Sequence, residues 1–490
     1  MALTTLLLCV FSLILPSHGL PEAVENHNSS DLLCTCNKIA AAISGASQVF
    51  FPPAPEYSFD IEHAYSSSNE ASACSVEPGS AEDVSEILRI LGSTRTPFAV
   101  KGGGHTTNPG FSSTRGVHIA MSRFNETKVN SMSGTVEVGA GLTWDQVYEV
   151  LEPTGVNVVG GRVFGVGVAG LTLGGGLSYL SNQYGLTVDN VAGYELVLPN
   201  GTVTIVTSDD DDLWFGLRGG LNNFGIVTKF IFQTHPQGDI WAGIVYYAEN
   251  ELDAIKEAVI NFQQKNDTKA SIIVNLAYSS DQFLILVYYF YDAPTPSQVF
   301  EDFLAIPATE GNVSTTSFSD FVKSLNFQPV FNGPRTFYGG APVTQYSHAI
   351  FDAFVNQTKF WGAHLSTLDK NVTVISSLEP FDKGLFSHGG RSAYPPDRSH
   401  AVLPTSLAVQ WSSASLDETM AFALRNISNT IHATALADGQ NVSHAAVYVN
   451  YALFGTPLKD MYGGNVERLR QIRAAIDPED VMGLTGGWKF

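Results

Sequence analysis

Basic residues are scarce in this chain. Its 490 residues carry 26 Lys and Arg against 47 Asp and Glu, a net charge of −21. No cluster of cations is available to neutralise a phosphate backbone, which excludes a nucleic-acid partner. Charged residues of both signs reach only 15% while hydrophobic ones reach 44%, which excludes a disordered chain. Long apolar runs are missing too. Leu6–Leu15 is too short to span a bilayer and nothing after it is long and apolar enough, so no membrane span is expected. That run, followed by Ser17-His18-Gly19, reads as a signal peptide over residues 1–19, cleaved before Leu20, although no Lys or Arg precedes it. Cysteine is nearly absent. Cys9 leaves with the signal, and Cys34, Cys36 and Cys74 remain, which implies one disulfide and one free thiol, with Cys74 bonded to Cys34 or to Cys36. N-x-S/T sequons at Asn28, Asn125, Asn200, Asn266, Asn312, Asn356, Asn371, Asn426 and Asn441 agree with a secreted, N-glycosylated product. No short repeat period and no low-complexity segment is visible. The acidic run Asp209–Asp212 has no His or Cys close in sequence; it reads as a solvated loop, and no metal is expected.

Glycine, in contrast, is concentrated. Lys101-Gly102-Gly103-Gly104-His105-Thr106 follows the apolar strand Pro97–Val100. Three residues without a Cβ bare the backbone to a ligand, and successive N–H groups in such a turn cradle anions. The plain alternative is a glycine-rich turn with a surface histidine. A second cluster runs from Asn157 to Gly176, and a third includes Gly219-Gly220. Each glycine costs backbone entropy, so close approach to a flat or anionic ligand is the natural reason for this density. A dinucleotide fingerprint does not account for it: Gly165-x-Gly167-x-x-Gly170 has the spacing but leads into further apolar, glycine-rich chain. A phosphate-binding P-loop is excluded because Lys101 precedes its glycines.

The remaining periodicities describe an α+β protein in two or more domains. A helix is expected over Cys36–Ala46. Ser80 caps another that carries Val84, Ile87, Leu88 and Leu91, and Thr143 caps one ending at Leu151. Leu177–Tyr184 is expected to be helical, and Pro199-Asn200-Gly201 to turn a hairpin. Strands follow at 240–248, 271–278, 283–291, 372–378, 407–411 and 445–453. Helices fall at 251–265, 296–305, 317–325, 347–366 and 416–436, and a last one at 465–475. This suggests a large antiparallel sheet covered on one face by helices. The domain reading is an N-terminal arm over 20–69, a glycine-rich domain over 70–237, a second domain over 238–445, and a segment over 446–490 that returns to the first.

The ordered blocks Lys101–His105, Gly161-Arg162 with Val166–Gly176, Tyr184–Val191, Asp212–Val227, and Tyr448–Tyr451 with Asn465, Arg468-Leu469 and Asp477-Pro478 resemble the FAD-linked oxidoreductases of the vanillyl-alcohol-oxidase and berberine-bridge-enzyme-like family. The resemblance covers nearly the whole mature chain. It implies a two-part, PCMH-type FAD-binding domain and a substrate domain. It also implies a single covalent flavin link through His105, because Val163 stands where many relatives place a second, cysteinyl link. With one link the site is expected to be less open, for a smaller or flatter substrate. Cofactor contacts are expected from Gly102, Gly103, Gly104, Thr106, Gly170, Leu171, Gly174, Gly175, Gly176, Ile226, Asn450 and Asn465. Val166 occupies the family's oxygen gate, where a small Val goes with oxidases. Tyr451 is the favoured base, with Tyr448 the alternative: three apart on an expected strand, the two would point to opposite faces. Gln410 or Trp411 would line the pocket, unless they are core. The implied reaction is oxidation of a small-molecule alcohol or secondary metabolite, with O2 reduced to hydrogen peroxide, by a monomer. Oxidative cyclisation, or a secreted flavin-binding glycoprotein without oxidase activity, are the rival readings.

Overall fold

The structure, a computed structural model, describes residues 28–326, 335–399 and 402–490; the expected signal peptide lies outside them. The first sheet comprises β1 (Gln48–Phe50), β2 (Cys74–Glu77), β3 (Phe98–Lys101) and β4 (Val117–Ala120), in the order β1-β2-β4-β3 with β2 and β3 parallel to β4. The helix Ala81–Thr94 links β2 to β3, and Ser80 caps it, its hydroxyl accepting from the Asp83 N–H at 3.1 Å. The expected helix at Cys36–Ala46 begins earlier, at Ser29, and ends at Ala42. Cys36 is disulfide-bonded to Cys74, and Cys34 is exposed and free.

The second sheet is antiparallel. It holds β5 (Thr127–Asn130), β6 (Thr135–Gly139), β8 (Val191–Val197), β9 (Val203–Val206) and β10 (Ile226–Gln233), in the order β5-β6-β10-β8-β9. The Asn200-Gly201 turn joins β8 to β9 as expected, with Gly201 at φ +83°. A short β7 (Val156–Asn157) pairs with β11 (His235–Pro236). In the third glycine-dense stretch the acidic run is not loop throughout. Asp211–Leu217 is helical, and Asp211 and Asp212 pair with Arg468 at 2.7 and 2.9 Å. The acids sit at the helix N-terminus, where its dipole favours them.

The third sheet has seven antiparallel strands: β12 (Ile240–Tyr247), β13 (Ala270–Ser279), β14 (Gln282–Tyr291), β15 (Ala308–Thr316), β16 (Arg335–Gly339), β17 (Thr373–Leu378) and β18 (Ser406–Trp411), in the order β15-β12-β14-β13-β17-β18-β16. The helices His348–Leu365 and Asp417–Ala437 pack on one face. At that contact a Cβ on Gly362 would stand 2.3 Å from the Tyr278 ring, so only glycine fits. β15 and β16 were not foreseen. β15 is almost wholly exposed and lacks the apolar alternation that betrays a strand, and β16 is only five residues long. The other face of the sheet is turned toward the glycine-rich half, and a cavity lies between them.

Candidate active site

The cavity holds about 750 Å³. One wall is rich in glycine and small side chains: the turn Gly102–Gly104, then Val166, Gly167, Ala169, Gly170 and Leu171, and Gly225–Val227 at the start of β10. Gly103 and Gly167 face each other so closely that a Cβ on Gly103 would stand 2.5 Å from the Gly167 Cα. Gly170 is different, since a Cβ there would meet nothing within 4 Å. Glycine therefore serves two ends here, packing one loop on another and leaving backbone open to the cavity. His105 lines the cavity with its ring edge-to-face against Tyr65, centroids 5.2 Å apart. Burial holds its imidazole down at about 4, so the ring is neutral at physiological pH. Lys101 turns away and donates to the Glu62 carbonyl at 2.8 Å.

Thr106, Val166, Leu171, Ile226, Tyr448, Asn450 and Tyr451 line the cavity, as does Val163. Residues 445–453 are not a strand. Val449–Tyr451 is a turn of 3-10 helix, and three residues per turn bring Tyr448 and Tyr451 to the same side, ring centroids 4.9 Å apart. Both tyrosines therefore face the cavity, against the expectation that only one could.

Gly174, Gly175, Gly176 and Asn465 lie off the cavity lining. A Cβ on Gly174 would stand 2.0 Å from the Asn450 Oδ1, and the Gly176 N–H donates to the Tyr448 hydroxyl at 3.1 Å. A Cβ on Gly175 would press on Tyr394 at 3.1 Å. This triplet seats the C-terminal tyrosine turn. Nor does the expected helix at Leu177–Tyr184 form as such: only Ser181–Tyr184 is helical, and the longer turn is Val168–Leu173. Asn465 donates to the Ser392 and Ala393 carbonyls at 3.1 and 3.0 Å, bracing a loop. Gln410 lines the cavity, whereas Trp411 is core, its indole N–H donating to Asp417 at 3.0 Å.

Two residues not foreseen complete the polar end. Glu379, one residue beyond β17, and Arg162 are buried and paired at 2.8 Å. Between them sits the Tyr451 hydroxyl, which accepts from Arg162 Nη2 at 2.7 Å and donates to Glu379 Oε1 at 2.9 Å. Burial pushes the Tyr451 hydroxyl well above the ordinary phenol range, and the Arg162 charge pulls against it. Tyr448 is pushed up to about 12 by burial, while its hydrogen bond from Asn450 draws it back. Among the described residues, Arg162 Nη1 is buried without a hydrogen-bond partner, while Glu379 Oε2 is held by Arg162 Nη2. A signal for both was present: Arg162 is the single charge in residues 157–176, and Glu379 has the parity of Thr373, Ile375 and Ser377, which also line the cavity.

A glycine-rich wall opposite a buried, hydrogen-bonded polar end suits a flat, polar cofactor. Comparison with known proteins identifies it. Residues 72–207 match the FAD binding domain family, and residues 447–484 match the berberine and berberine-like family. The FAD-dependent monooxygenase tpcD of Cochliobolus heterostrophus is 32% identical over 442 residues, 85% of each chain. The FAD-dependent monooxygenase FUP4 of Fusarium proliferatum is 31% identical, covering 83% of this chain and 82% of that protein. Among solved structures, Physcomitrella patens BBE-like 1 superposes with a TM-score of 0.75 at 21% identity, over 92% of this chain and 97% of that one. Aclacinomycin oxidoreductase also gives 0.75, at 20% identity, over 89% and 98%. The chain belongs to the berberine-bridge-enzyme-like family of FAD-dependent oxidoreductases.

Proposed function

We propose that this protein is an oxidase of small-molecule alcohols, with Tyr451 as the base and a flavin tethered through His105. The observation that carries the reading is the Tyr451 hydroxyl, held between Arg162 and Glu379 at 2.7 and 2.9 Å. A buried tyrosine alone is too weak an acid to exist as phenolate. Here its proton already points at a carboxylate. As Tyr451 takes the proton of a substrate hydroxyl, it passes its own to Glu379, and Arg162 steadies the negative charge in transit. The substrate loses an O–H and a C–H bond and gains a carbonyl. FAD, when bound in this cavity, would supply the acceptor for the hydride and the route by which O2 becomes hydrogen peroxide. Tyr448, accepting from the Asn450 amide at 2.9 Å and the Gly176 N–H, keeps its own proton free to orient the substrate. Val166 lines the cavity and, by the resemblance, would be the small gate that admits O2. His105, neutral and with its lone pair available, suits attack on the flavin methyl group.

Tyr451→Phe is expected to retain its flavin and to lose roughly a hundredfold or more in the rate of anaerobic flavin bleaching by substrate. A Phe variant bleached at the wild-type rate would overturn the assignment. Wild-type protein run on a denaturing gel is expected to show a flavin-fluorescent band that His105→Ala lacks; flavin released wholly on denaturation would remove the tether. The relatives tpcD and FUP4 are called monooxygenases. Turnover under 18O2 is therefore the decisive assay: label in peroxide supports oxidation, and label in the organic product refutes it. Export through the secretory pathway is part of the same reading. It is supported by the Cys36–Cys74 disulfide and by sequon asparagines that are exposed at eight of the nine positions, Asn426 being half-buried.

A further inference from the structure

The sheet wall of the cavity is organised in rows, because antiparallel register aligns side chains of one parity across β14, β13, β17 and β18. Asn275, Ser377 and Ser406 are register partners, with the apolar Leu286 of β14 opposite Asn275. One pleat further along lie Leu284, Ala277, Ile375 and Ala408, and one pleat beyond that Ser279, Thr373 and Gln410. All of them line the cavity. On β13, β17 and β18 an apolar band is thus bounded by two polar rows.

The two polar rows are not equivalent. The first lies at the catalytic end. Glu379 continues β17 past Ser377, and a Cβ on Gly340 would stand 3.3 Å from the Thr405 carbonyl and 3.5 Å from the Tyr451 Cβ, which puts Tyr451 beside the start of β18. The second lies by the β13–β14 turn, whose residues Ser280 and Asp281 are exposed. Within it Ser279 and Thr373 satisfy each other at 2.9 Å, whereas Gln410 is only 6% exposed and its Oε1 has no partner among the described residues. Four residues separate Ser406 from Gln410, about 13 Å of extended strand. Among the described residues, the charged side chains that line the cavity are Arg162 and Glu379, and they neutralise each other.

A buried amide oxygen without a donor is costly unless a ligand supplies one. We propose that the substrate is an uncharged, flat, fused-ring aromatic alcohol whose rings lie on the Ala277–Ile375–Ala408 band and whose distal hydroxyl donates to Gln410 Oε1. The assignment of the reacting end rests on the reading of Tyr451 as the base; the distal subsite rests on the sheet alone.

The test uses purified flavin-loaded enzyme and the aldehydes derived from 2-anthracenemethanol: unsubstituted, with a hydroxyl at position 6, and with a methoxyl at position 6. Dissociation constants are read from perturbation of the flavin visible spectrum. The hydroxyl compound is expected to bind about tenfold tighter than the other two, the gain of one well-made hydrogen bond. In Gln410→Met that preference should fall to near unity. Equal binding of all three by the wild type, or an unchanged preference in Gln410→Met, would overturn the subsite. The methoxyl arm needs no variant, so misfolding cannot rescue the idea. If the preference holds but the parent alcohols are not oxidised, the subsite stands and the oxidase reading fails; if they are oxidised without preference, the reverse is true.

Discussion

At the scale of single residues, the site turns on a buried ion pair. Arg162 and Glu379 would each be costly alone in this interior, and together they hold a phenol hydroxyl in a position where its proton can move. Burial disfavours the charge on Arg162, but the Glu379 carboxylate outweighs it and holds the guanidinium charged. Arg162→Met is expected to destabilise the protein by about 3–5 kcal/mol, because it strands the carboxylate. Adding Glu379→Leu should restore most of that stability while leaving the enzyme inactive. Denaturant melts of the single and double variants check this, and a double variant no more stable than the single one would mean that the pair is not the source of the loss. Arg162 is hard to single out in the sequence because it lies in a glycine-dense stretch. Glu379 is hard to single out because a lone acid after a strand reads like any solvated loop residue.

At the scale of elements, glycine does its work in pairs of loops. The mutual approach of Gly103 and Gly167 clamps the histidine turn to the segment bearing Val166. Gly103→Ala is expected to part these loops and to yield protein with a reduced flavin content, read as visible absorbance per chain. Gly170→Ala meets no protein atom, so any flavin it loses would be lost to a clash with the cofactor itself. A Gly103→Ala protein with full flavin would contradict the clamp. The 3-10 turn at Val449–Tyr451 was misread as strand because Tyr, Val and Asn at alternating positions suit either conformation. Local pattern cannot separate them when tertiary seating on Gly174–Gly176 decides the outcome.

At the scale of the molecule, a set of titratable groups is buried behind the histidine turn. Burial holds His63 down at about 4 and His118 at about 3, with the Lys101 charge reinforcing both. An unfolded histidine titrates near 6.5. As pH falls below that value the unfolded chain takes up protons that the folded chain refuses, so stability is lost down to the folded values, on the order of 3 kcal/mol for each imidazole. Asp60 acts in the opposite sense, since burial raises it to about 6 and its protonation favours the fold as pH falls. Two imidazoles outweigh one carboxyl. Urea melts between about pH 7 and 4.5 should show falling stability, less steeply in His118→Gln. A stability that rises over that range would refute the assignment.

What sequence by itself determined is what depends on neighbours along the chain. This includes the capped helix at Ala81–Thr94, the Asn200-Gly201 hairpin, the long helices over the large sheet, and the ordered glycine blocks that mark an FAD-binding oxidoreductase. His105, Val166 and Tyr451 were legible as cavity residues for the same reason. Only tertiary structure decided which cysteine Cys74 bonds, that both tyrosines share one side, and that Gly174–Gly176 serve packing. The same holds for the hydrogen-bonded trio at the polar end of the cavity. Arg162, Glu379 and Tyr451 are separated by 217 and 72 residues, and no local rule relates them. Their hydrogen bonds exist because strand register and loop seating converge on one low-dielectric point.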